Sequence, residues 1–241
     1  MKTALITGAG RREGLGFEVA HQLGNLGYHV ILSARQPAQI DARVQTLRQA
    51  GIDASGILMD IADHKSVQQA AQTIQQQFQQ LDVLINNAAV FGNFESLLET
   101  DMQELHHEFN TNFFGTWDVI QQFYPLLRQA GSSRIVNVSS GAGSFDDPKY
   151  GMVHGSLGMP VSAYALTKLS INGLTVKAAR EFAPDGILVN SVCPGVVATH
   201  QAPGVFARPV PDGAKSVVWA ATLPDDGPTG KFFRDGQPLP W

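Results

Sequence analysis

The sequence predicts an α/β protein built on a doubly wound parallel sheet with helices on both faces. Short apolar runs alternate with amphipathic stretches along nearly the whole chain of 241 residues, which is typical of α/β folds. The apolar runs also lack in–out alternation, as strands buried on both faces do. No linker or break in composition divides the chain, so a single domain over residues 1–241 is expected.

The predicted elements follow one another in a regular order. Six apolar runs are predicted to be strands: residues 4–6, 30–32, 57–59, 83–85, 135–138 and 187–192. One helix is predicted after the first run, over residues 15–26, and another before the fourth run. In the second helix apolar positions recur every three or four residues, at Val67, Ala71, Ile74, Phe78 and Leu81. Long helical patterns precede the last two runs.

Composition and charge exclude several classes of protein. The chain has 17 basic and 21 acidic residues, a formal net charge of −4, which argues against a nucleic-acid surface. With 44% hydrophobic and 16% charged residues, it is not a disordered chain. The single cysteine, Cys193, excludes an internal disulfide and favours a reducing compartment. Without a signal-peptide core or a membrane span, a soluble cytoplasmic protein is expected.

A glycine-rich turn follows the first predicted strand and opens the first predicted helix. Residues 7–16 read Thr-Gly-Ala-Gly-Arg-Arg-Glu-Gly-Leu-Gly. In a strand–turn–helix unit, glycines let the backbone approach a pyrophosphate, and the helix N-terminus presents free N–H groups to the anion. This place in the chain predicts a dinucleotide site, with Gly8, Gly14 and Gly16 in the turn.

The end of the second predicted strand indicates which dinucleotide binds. A site for NAD usually has an acidic residue here, which binds the 2′-hydroxyl of the ribose. The strand instead ends at Arg35, and the nearest following acid is Asp41. The guanidinium of Arg35 can hold a 2′-phosphate, and Arg11 or Arg12 can close the other side. The sequence therefore predicts NADP(H) as the cofactor.

A tyrosine and a lysine are the candidate chemical groups. Tyr164 and Lys168 lie four residues apart, so on a helix their side chains share a face. A free tyrosine, with a pKa of about 10, is a poor acid or base at neutral pH, but a nearby cation lowers that pKa. General acid catalysis at a carbonyl needs such a pair. Ser140, at the end of a predicted buried strand, can hydrogen-bond the carbonyl oxygen.

Three further segments accompany this pair, and together they resemble a known family. The segments are residues 86–89 (Asn-Asn-Ala-Ala), 110–115 (Asn-Thr-Asn-Phe-Phe-Gly) and 194–199 (Pro-Gly-Val-Val-Ala-Thr). With the glycine turn, the serine and the tyrosine–lysine pair, their order resembles the short-chain dehydrogenase/reductase family over nearly the whole chain. The tail resembles the carbonyl reductase branch. The resemblance implies a Rossmann fold and an NADP(H)-dependent oxidoreductase.

The resemblance also assigns roles to individual residues. It implies that Tyr164 is the catalytic acid/base and that Lys168 lowers its pKa and holds the nicotinamide ribose. Ser140 would orient the carbonyl, and Asn112 would maintain a proton-relay water near Lys168. The implied cofactor-binding residues are Gly8, Arg11, Arg12, Gly14, Leu15, Gly16, Arg35, Asp60, Ile61, Asn86, Ala88, Tyr164, Lys168, Pro194, Gly195, Val197 and Thr199.

Within that set the expected contacts differ. Asp60 would contact the adenine, Asn86 and Ala88 would border the adenosine ribose, and residues 194–199 would face the nicotinamide. The chain departs from the family pattern at Ala89, where glycine is usual, and in the glycine turn, which is two residues longer than usual between its first and second conserved glycines.

Two loops are expected to form the substrate pocket. Ser140 and Tyr164 are 24 residues apart, more than is common in the family, so a loop at about residues 144–160 is inserted between them. The second loop lies at about residues 200–211. In carbonyl reductases a comparable but longer insertion is associated with monomers. Because the insertion in this chain is shorter, both a monomer and a homo-oligomer stay open.

The predicted activity is NADPH-dependent reduction of a small-molecule ketone or aldehyde. Two alternatives stay open: an NADP-dependent alcohol dehydrogenase working in the oxidising direction, and a noncatalytic NADP-binding regulator that reuses the fold. The presence of Asn112, Ser140, Tyr164 and Lys168 together argues against the regulator. No metal site is expected, and the Gly-x-Ser-x-Gly motif of a serine hydrolase is absent from the sequence.

Overall fold

Alternating strands and helices build a layered fold in the computed structural model, which describes residues 1–158, 160–199 and 207–241. The strands of these residues are β1 (Thr3–Ile6), β2 (His29–Ala34), β3 (Ala54–Leu58), β4 (Val83–Asn86), β5 (Ser133–Val138), β6 (Ile187–Val192), β7 (Phe232–Arg234) and β8 (Gln237–Pro238). The α-helices are α1 (Leu15–Asn25), α2 (Pro37–Gln49), α3 (His64–Gln77), α4 (Met102–Phe109), α5 (Thr116–Gln129), α6 (Ser162–Phe182) and α7 (Val210–Ala221). A π-helical turn, Asn110–Gly115, joins α4 to α5, and short 3-10 turns occur at Gly141–Gly143 and Ala183–Asp185.

These strands belong to one sheet with the order β3-β2-β1-β4-β5-β6-β7-β8. Neighbours pair in parallel from β3 through β7, and β8 pairs antiparallel with β7. The predicted α/β fold is therefore confirmed, with an antiparallel edge strand that the sequence reasoning did not foresee. The strand order reverses between β1 and β4, and open α/β sheets bind ligands beyond the carboxyl ends of their strands at such a point.

Helices cover both faces of the sheet and complete two apolar layers. One layer packs α1, α2 and α7 against the sheet, and the other packs α3, α5 and α6 against it. Within β1, Ala4 and Ile6 belong to the first layer and Leu5 to the second, and all three are fully buried. Because both faces are covered, the strand has no solvent-facing position, which explains its continuous apolar sequence.

The third helix is shorter than its sequence pattern predicted. It ends at Gln77, and Phe78 is extended, with φ −129° and ψ 126°. The Phe78 ring lies 4.9 Å from the ring of His29, while Leu81 is fully buried and its N–H donates to the carbonyl of Leu126 at 3.1 Å. Phe78, which is partly buried, and Leu81, which is fully buried, thus pack in the segment that leads to β4 rather than on a helix face. Within the described residues, no helix has the length and apolar character needed to cross a membrane.

Candidate active site

A cleft of about 650 Å³ lies at the carboxyl ends of the parallel strands. Loops after β1 to β6, together with α6, form its walls. The predicted site residues that line it are Gly8, Arg11, Gly14, Leu15, Arg35, Asp60, Ile61, Ala88, Ser140, Tyr164, Lys168, Pro194, Gly195, Val197 and Thr199. Arg12, Gly16, Asn86 and Asn112 lie outside that lining.

Two glycines of the turn allow a close approach between the loops after β1 and β4. Gly8 has a φ of +67°, and a Cβ there would lie 2.7 Å from the Cα of Ala88. A Cβ on Gly16 would lie 2.5 Å from Nδ2 of Asn87. That amide donates to the carbonyls of Thr7 at 2.8 Å and Gly8 at 3.3 Å. Side chains at these positions would displace the loops, so glycine keeps a cradle that a dinucleotide fits.

The two additional residues of the turn are accommodated in a reverse turn. The N–H of Gly14 donates to the carbonyl of Arg11 at 3.1 Å, which leaves Arg12 and Glu13 exposed at the tip. Gly14 is also the N-cap of α1, and it provides no side-chain cap for the helix. The N–H groups of the first helical turn therefore remain available to a phosphate.

Two arginines lie at one end of the cleft. Arg11 and Arg35 are both exposed and both line it, together with Gln36 and Gln39. Among the described residues, neither arginine forms an ion pair with a carboxylate. Guanidinium groups without an internal partner are suited to a phosphate, because the planar fork matches its oxygens.

The ends of β3 and β4 line the middle of the cleft. Asp60 and Ile61 follow β3 and face the cleft with Met59, which the sequence reasoning missed. The carboxylate of Asp60 accepts from the N–H of Ala62 at 3.0 Å. This hydrogen bond fixes the turn after β3, so the Asp60 side chain has a defined position on the wall.

Of the two adjacent asparagines, the cleft is lined by Asn87 and not by Asn86. Asn86 is buried within the sheet, where its Nδ2 donates to Oδ1 of Asn137 at 2.8 Å. Successive residues of a strand point to opposite faces, so only one of the pair can reach the cleft. The sequence reasoning named Asn86 and missed Asn87, because the register of β4 decides between them.

The tyrosine and the lysine share one face of α6. The Nζ of Lys168 lies 5.5 Å from the ring centroid of Tyr164 and donates to the carbonyl of Val138 at 2.8 Å. Ser140, two residues after β5, lines the cleft with Tyr164 and Lys168, and its Oγ accepts from the N–H of Ala142 at 3.2 Å. A phenol, a hydroxyl and an ammonium therefore meet on one wall of the cleft, where a carbonyl oxygen could contact the first two.

Burial controls the electrostatics of this group. It raises the pKa of Tyr164 above the ordinary tyrosine value, and the neighbouring hydroxyl of Ser140 offsets part of that rise. Burial also lowers the pKa of Lys168 to about 8, because an ammonium loses its hydration there. The phenol thus stays protonated at neutral pH.

No cluster of three or more His, Cys, Asp or Glu side chains in the described residues could hold a metal ion.

Asn112 lies in the π-helical turn and is almost fully buried. Its Oδ1 accepts from the N–H of Val90 at 2.8 Å, and its Nδ2 donates to the Val90 carbonyl at 2.9 Å. The same amide nitrogen also donates to Oγ1 of Thr167, which precedes Lys168, at 3.2 Å. The side chain therefore connects the segment after β4 to α6, and its predicted role toward a water stays a prediction.

The loop after β6 forms the wall opposite α6. Pro194, Gly195, Val197 and Thr199 line the cleft, together with Val196. Two hydrogen bonds with Arg208 close the base of this loop, from the Arg208 N–H to Val196 and from the Ala198 N–H to Arg208. Most of the second predicted substrate loop, residues 200–206, lies outside the described residues.

The first predicted substrate loop contributes no described residue to the lining of this cleft, and its role toward a substrate stays a prediction. Residues 144–158 and 160 are absent from the lining, whereas Phe91 and Phe94, which the sequence reasoning missed, belong to it. The Phe91 ring lies 4.7 Å from the Tyr164 ring and 5.2 Å from the Phe94 ring. The apolar wall beside the tyrosine is therefore made by the segment after β4.

The family model for short chain dehydrogenases matches residues 2–208. Carbonyl reductase (NADPH) 3 of Mus musculus is 30% identical over 277 aligned positions, covering 100% of this chain and 98% of that protein. The 3-oxoacyl-(acyl-carrier-protein) reductase FabG of Staphylococcus aureus is 35% identical over 198 residues, 81% of this chain and 74% of that protein.

A solved structure shows the same fold. It is an actinorhodin polyketide ketoreductase variant with NADPH, which superposes with a TM-score of 0.83 and 25% identity over 97% of this chain and 95% of that one. The arrangement of the glycine turn, Ser140, Tyr164 and Lys168 agrees with the match to the family model. The chain belongs to the short-chain dehydrogenase family.

Proposed function

We propose that this protein is an NADPH-dependent reductase of ketones or aldehydes. The observation that carries the proposal is that Tyr164, Ser140 and Lys168 meet on one wall of a cleft whose other walls fit a dinucleotide. When bound there, the reduced nicotinamide supplies a hydride to the carbonyl carbon. Arg11 and Arg35 support the choice of NADPH over NADH, and so do the NADPH named for the mouse relative and present in the ketoreductase structure.

The side chains of the chain provide the proton and the charge stabilisation. The phenol of Tyr164 donates its proton to the carbonyl oxygen, and the hydroxyl of Ser140 donates a hydrogen bond to the same oxygen. The ammonium of Lys168 stabilises the phenolate that forms. Proton donation by a positioned side chain contributes about 10²–10⁴-fold to a rate, so removing the phenol should cost at least that range.

Burial raises the pKa of Tyr164, so in the cofactor-free cleft the phenol keeps its proton and can act as the acid that carbonyl reduction needs. A regulator that only binds NADP would have no use for Tyr164, Ser140 and Lys168 together on one wall of the cleft. The loops after all six strands from β1 to β6 contribute residues to one cleft. This also supports a single dinucleotide-binding domain over residues 1–241.

The test is consumption of NADPH, followed by its absorbance, with a panel of ketones and aldehydes. The wild-type protein should consume NADPH with at least one of them, and Tyr164→Phe should lower its turnover by at least about 10²-fold. NADPH binding should persist in this variant, because the hydroxyl removed acts on the carbonyl. Near-normal turnover by Tyr164→Phe would show that another group donates the proton.

Tyr124 offers a matched control for the loss of a phenol hydroxyl. It lies on α5, and its hydroxyl donates to a carboxylate oxygen of Asp185 at 2.7 Å, away from the cleft lining. Tyr124→Phe should therefore keep the wild-type turnover. A loss of turnover equal to that of Tyr164→Phe would point to general destabilisation rather than to a catalytic role.

A further inference from the structure

Glu108 is a buried carboxylate that the proposed reaction does not use. It lies on α4 and is 2% exposed. Its Oε1 accepts from the N–H of Gly92 at 2.6 Å, and its Oε2 is buried with no hydrogen-bond partner among the described residues. Burying a carboxylate costs free energy unless its contacts compensate. The hydrogen bond with Gly92 is therefore the contact that can explain why Glu108 is buried here.

Glu108 is one of two side chains that hold the segment after β4. One helical turn further along, Asn112 binds both the N–H and the carbonyl of Val90, at 2.8 and 2.9 Å. Glu108 binds the N–H of Gly92. The two tethers therefore fix the backbone on either side of Phe91.

Phe91 is the residue of this segment that packs on the proposed proton donor. Its ring lies 4.7 Å from the ring of Tyr164, at an interplanar angle of 60°, and it lines the cleft. Glycine at position 92 leaves room for the Glu108 carboxylate, since a Cβ there would lie 2.3 Å from Oε1 of Glu108. A side chain at position 92 would push the carboxylate and the backbone apart.

We propose that Glu108 is a positioning residue: by holding the N–H of Gly92, it keeps the Phe91 ring against Tyr164, as the apolar wall on which the carbonyl substrate packs. The inference rests on the proposed reductase function, because it places the substrate beside Tyr164. Glu108 itself does not line the cleft and acts through Phe91.

The electrostatic surroundings of Glu108 agree with a role that depends on this hydrogen bond. Burial raises the pKa of Glu108, and the Gly92 N–H opposes that rise more than His107 or Lys168 does, while Glu104 adds to it. A glutamine keeps the accepting oxygen without the charge, and an alanine removes both. Comparing the two substitutions separates the tether from the charge.

The first experiment measures steady-state kinetics with NADPH and the best carbonyl substrate of the panel. Glu108→Ala should raise the KM for the carbonyl about tenfold, with kcat changed less than about threefold, as expected for losing a hydrogen bond to a charged group. Glu108→Gln should restore the KM to within about threefold of wild type. Gly92→Ala should reproduce the raised KM without altering Glu108. Glu104→Ala, which removes an exposed carboxylate from the same helix, should leave both constants unchanged.

A double-mutant cycle tests whether Glu108 acts through Phe91. In a Phe91→Leu background, Glu108→Ala should have little further effect on KM, because residues that act in series are not additive. The same tenfold increase in both backgrounds would overturn the proposal. An unchanged KM in Glu108→Ala and Gly92→Ala would overturn it as well.

A second readout does not depend on turnover. Hydrogen exchange of the peptide covering residues 88–95 should be faster in Glu108→Ala than in wild type and in Glu108→Gln, because the Gly92 N–H loses its acceptor. Equal exchange in the three proteins would disprove the tether. If wild type consumes no NADPH with any carbonyl, the proposed function fails, and the exchange rates alone decide whether the tether exists. If Glu108→Ala fails to fold, the KM and the exchange rate of Gly92→Ala are compared with those of wild type and of Glu108→Gln instead.

Discussion

The two ends of the cleft are built in different ways. At the end near β1 and β2, the walls come from short segments directly after a strand, such as residues 7–16 and Arg35. At the end near Tyr164, the walls depend on side chains that come from other elements, such as Asn112, which binds Val90 and Thr167. The residues of the first end can be recognised from local sequence patterns, whereas the walls of the second end cannot.

The inserted segment after β5 shows how far those contacts reach. The Oγ of Ser144 donates to the carbonyl of Pro240 at 2.9 Å, and the N–H of Phe145 donates to Trp241 at 2.9 Å. Asp147, fully buried, forms an ion pair with Arg234 of β7. These contacts hold residues 144–147 against the C-terminal strands and the last residues of the chain.

The largest expected effect tests this long-range construction. Arg234→Met should lower the free energy of unfolding by about 3–5 kcal/mol, the range for breaking a buried ion pair and leaving one charge behind. Urea denaturation followed by circular dichroism measures the change. If the two ends of the cleft are independent, the folded variant should still bind NADPH with an affinity close to wild type. A much weaker NADPH affinity would show that the two ends of the cleft are not independent.

An exposed ion pair on α7 provides the matched control. Nζ of Lys215 lies 2.7 Å from Oδ1 of Asp212, and both side chains are largely exposed. Lys215→Met should lower the free energy of unfolding far less than Arg234→Met does, because exposed pairs contribute little. Equal losses for Lys215→Met and Arg234→Met would mean that burial of the Asp147–Arg234 pair is not what stabilises the inserted segment.

The next effect in size tests the cofactor end. Arg35→Asp should shift the preference from NADPH toward NADH by about 10–100-fold, because a charge-assisted hydrogen bond to phosphate is lost and a like charge is introduced. The ratio of kcat/KM for the two cofactors measures it, and the KM for the carbonyl should stay unchanged. Arg12, exposed at the tip of the turn and outside the lining, is the control: Arg12→Asp should shift the ratio less. An unchanged ratio in Arg35→Asp would contradict the role of that residue toward a 2′-phosphate.

The same difference explains what the sequence could predict. The alternation of strands and helices and the glycine turn follow from local patterns, and the cleft lies at the carboxyl ends of the strands, as these patterns imply. For the pair Asn86 and Asn87, pattern alone is insufficient, because the face that each residue presents depends on the last residue of β4. A contact between distant parts of the chain also fixes this segment, since Oγ1 of Thr7 accepts from the N–H groups of Asn87 and Ala88 at 3.0 and 2.9 Å.

The wall beside Tyr164 was beyond sequence reasoning for a physical reason. Phe91 and Phe94 follow a strand end, where aromatic residues are a weak sign of a pocket wall. The backbone on either side of Phe91 is held by Glu108 and Asn112, which come later in the chain. The position of the inserted segment depends likewise on Arg234, far along the chain. Pairings at such separations leave no periodic or spacing signal in one sequence.

The smallest expected effect concerns Lys168, which lies beside Tyr164 and is also predicted to hold the nicotinamide ribose. Burial lowers its pKa to about 8, so the cofactor-free protein loses the ammonium as the pH rises through that value. The Tyr164 phenol stays protonated, because burial raises its pKa. The value of kcat/KM for NADPH, which reports groups of the free enzyme, should therefore fall about tenfold between pH 7 and pH 9. Lys168→Arg, whose side chain stays charged, should remove that decline whatever its activity at pH 7. A wild-type profile that is flat to pH 10 would show that the ammonium keeps its proton, and that its hydrogen bond to Val138 outweighs the loss of hydration.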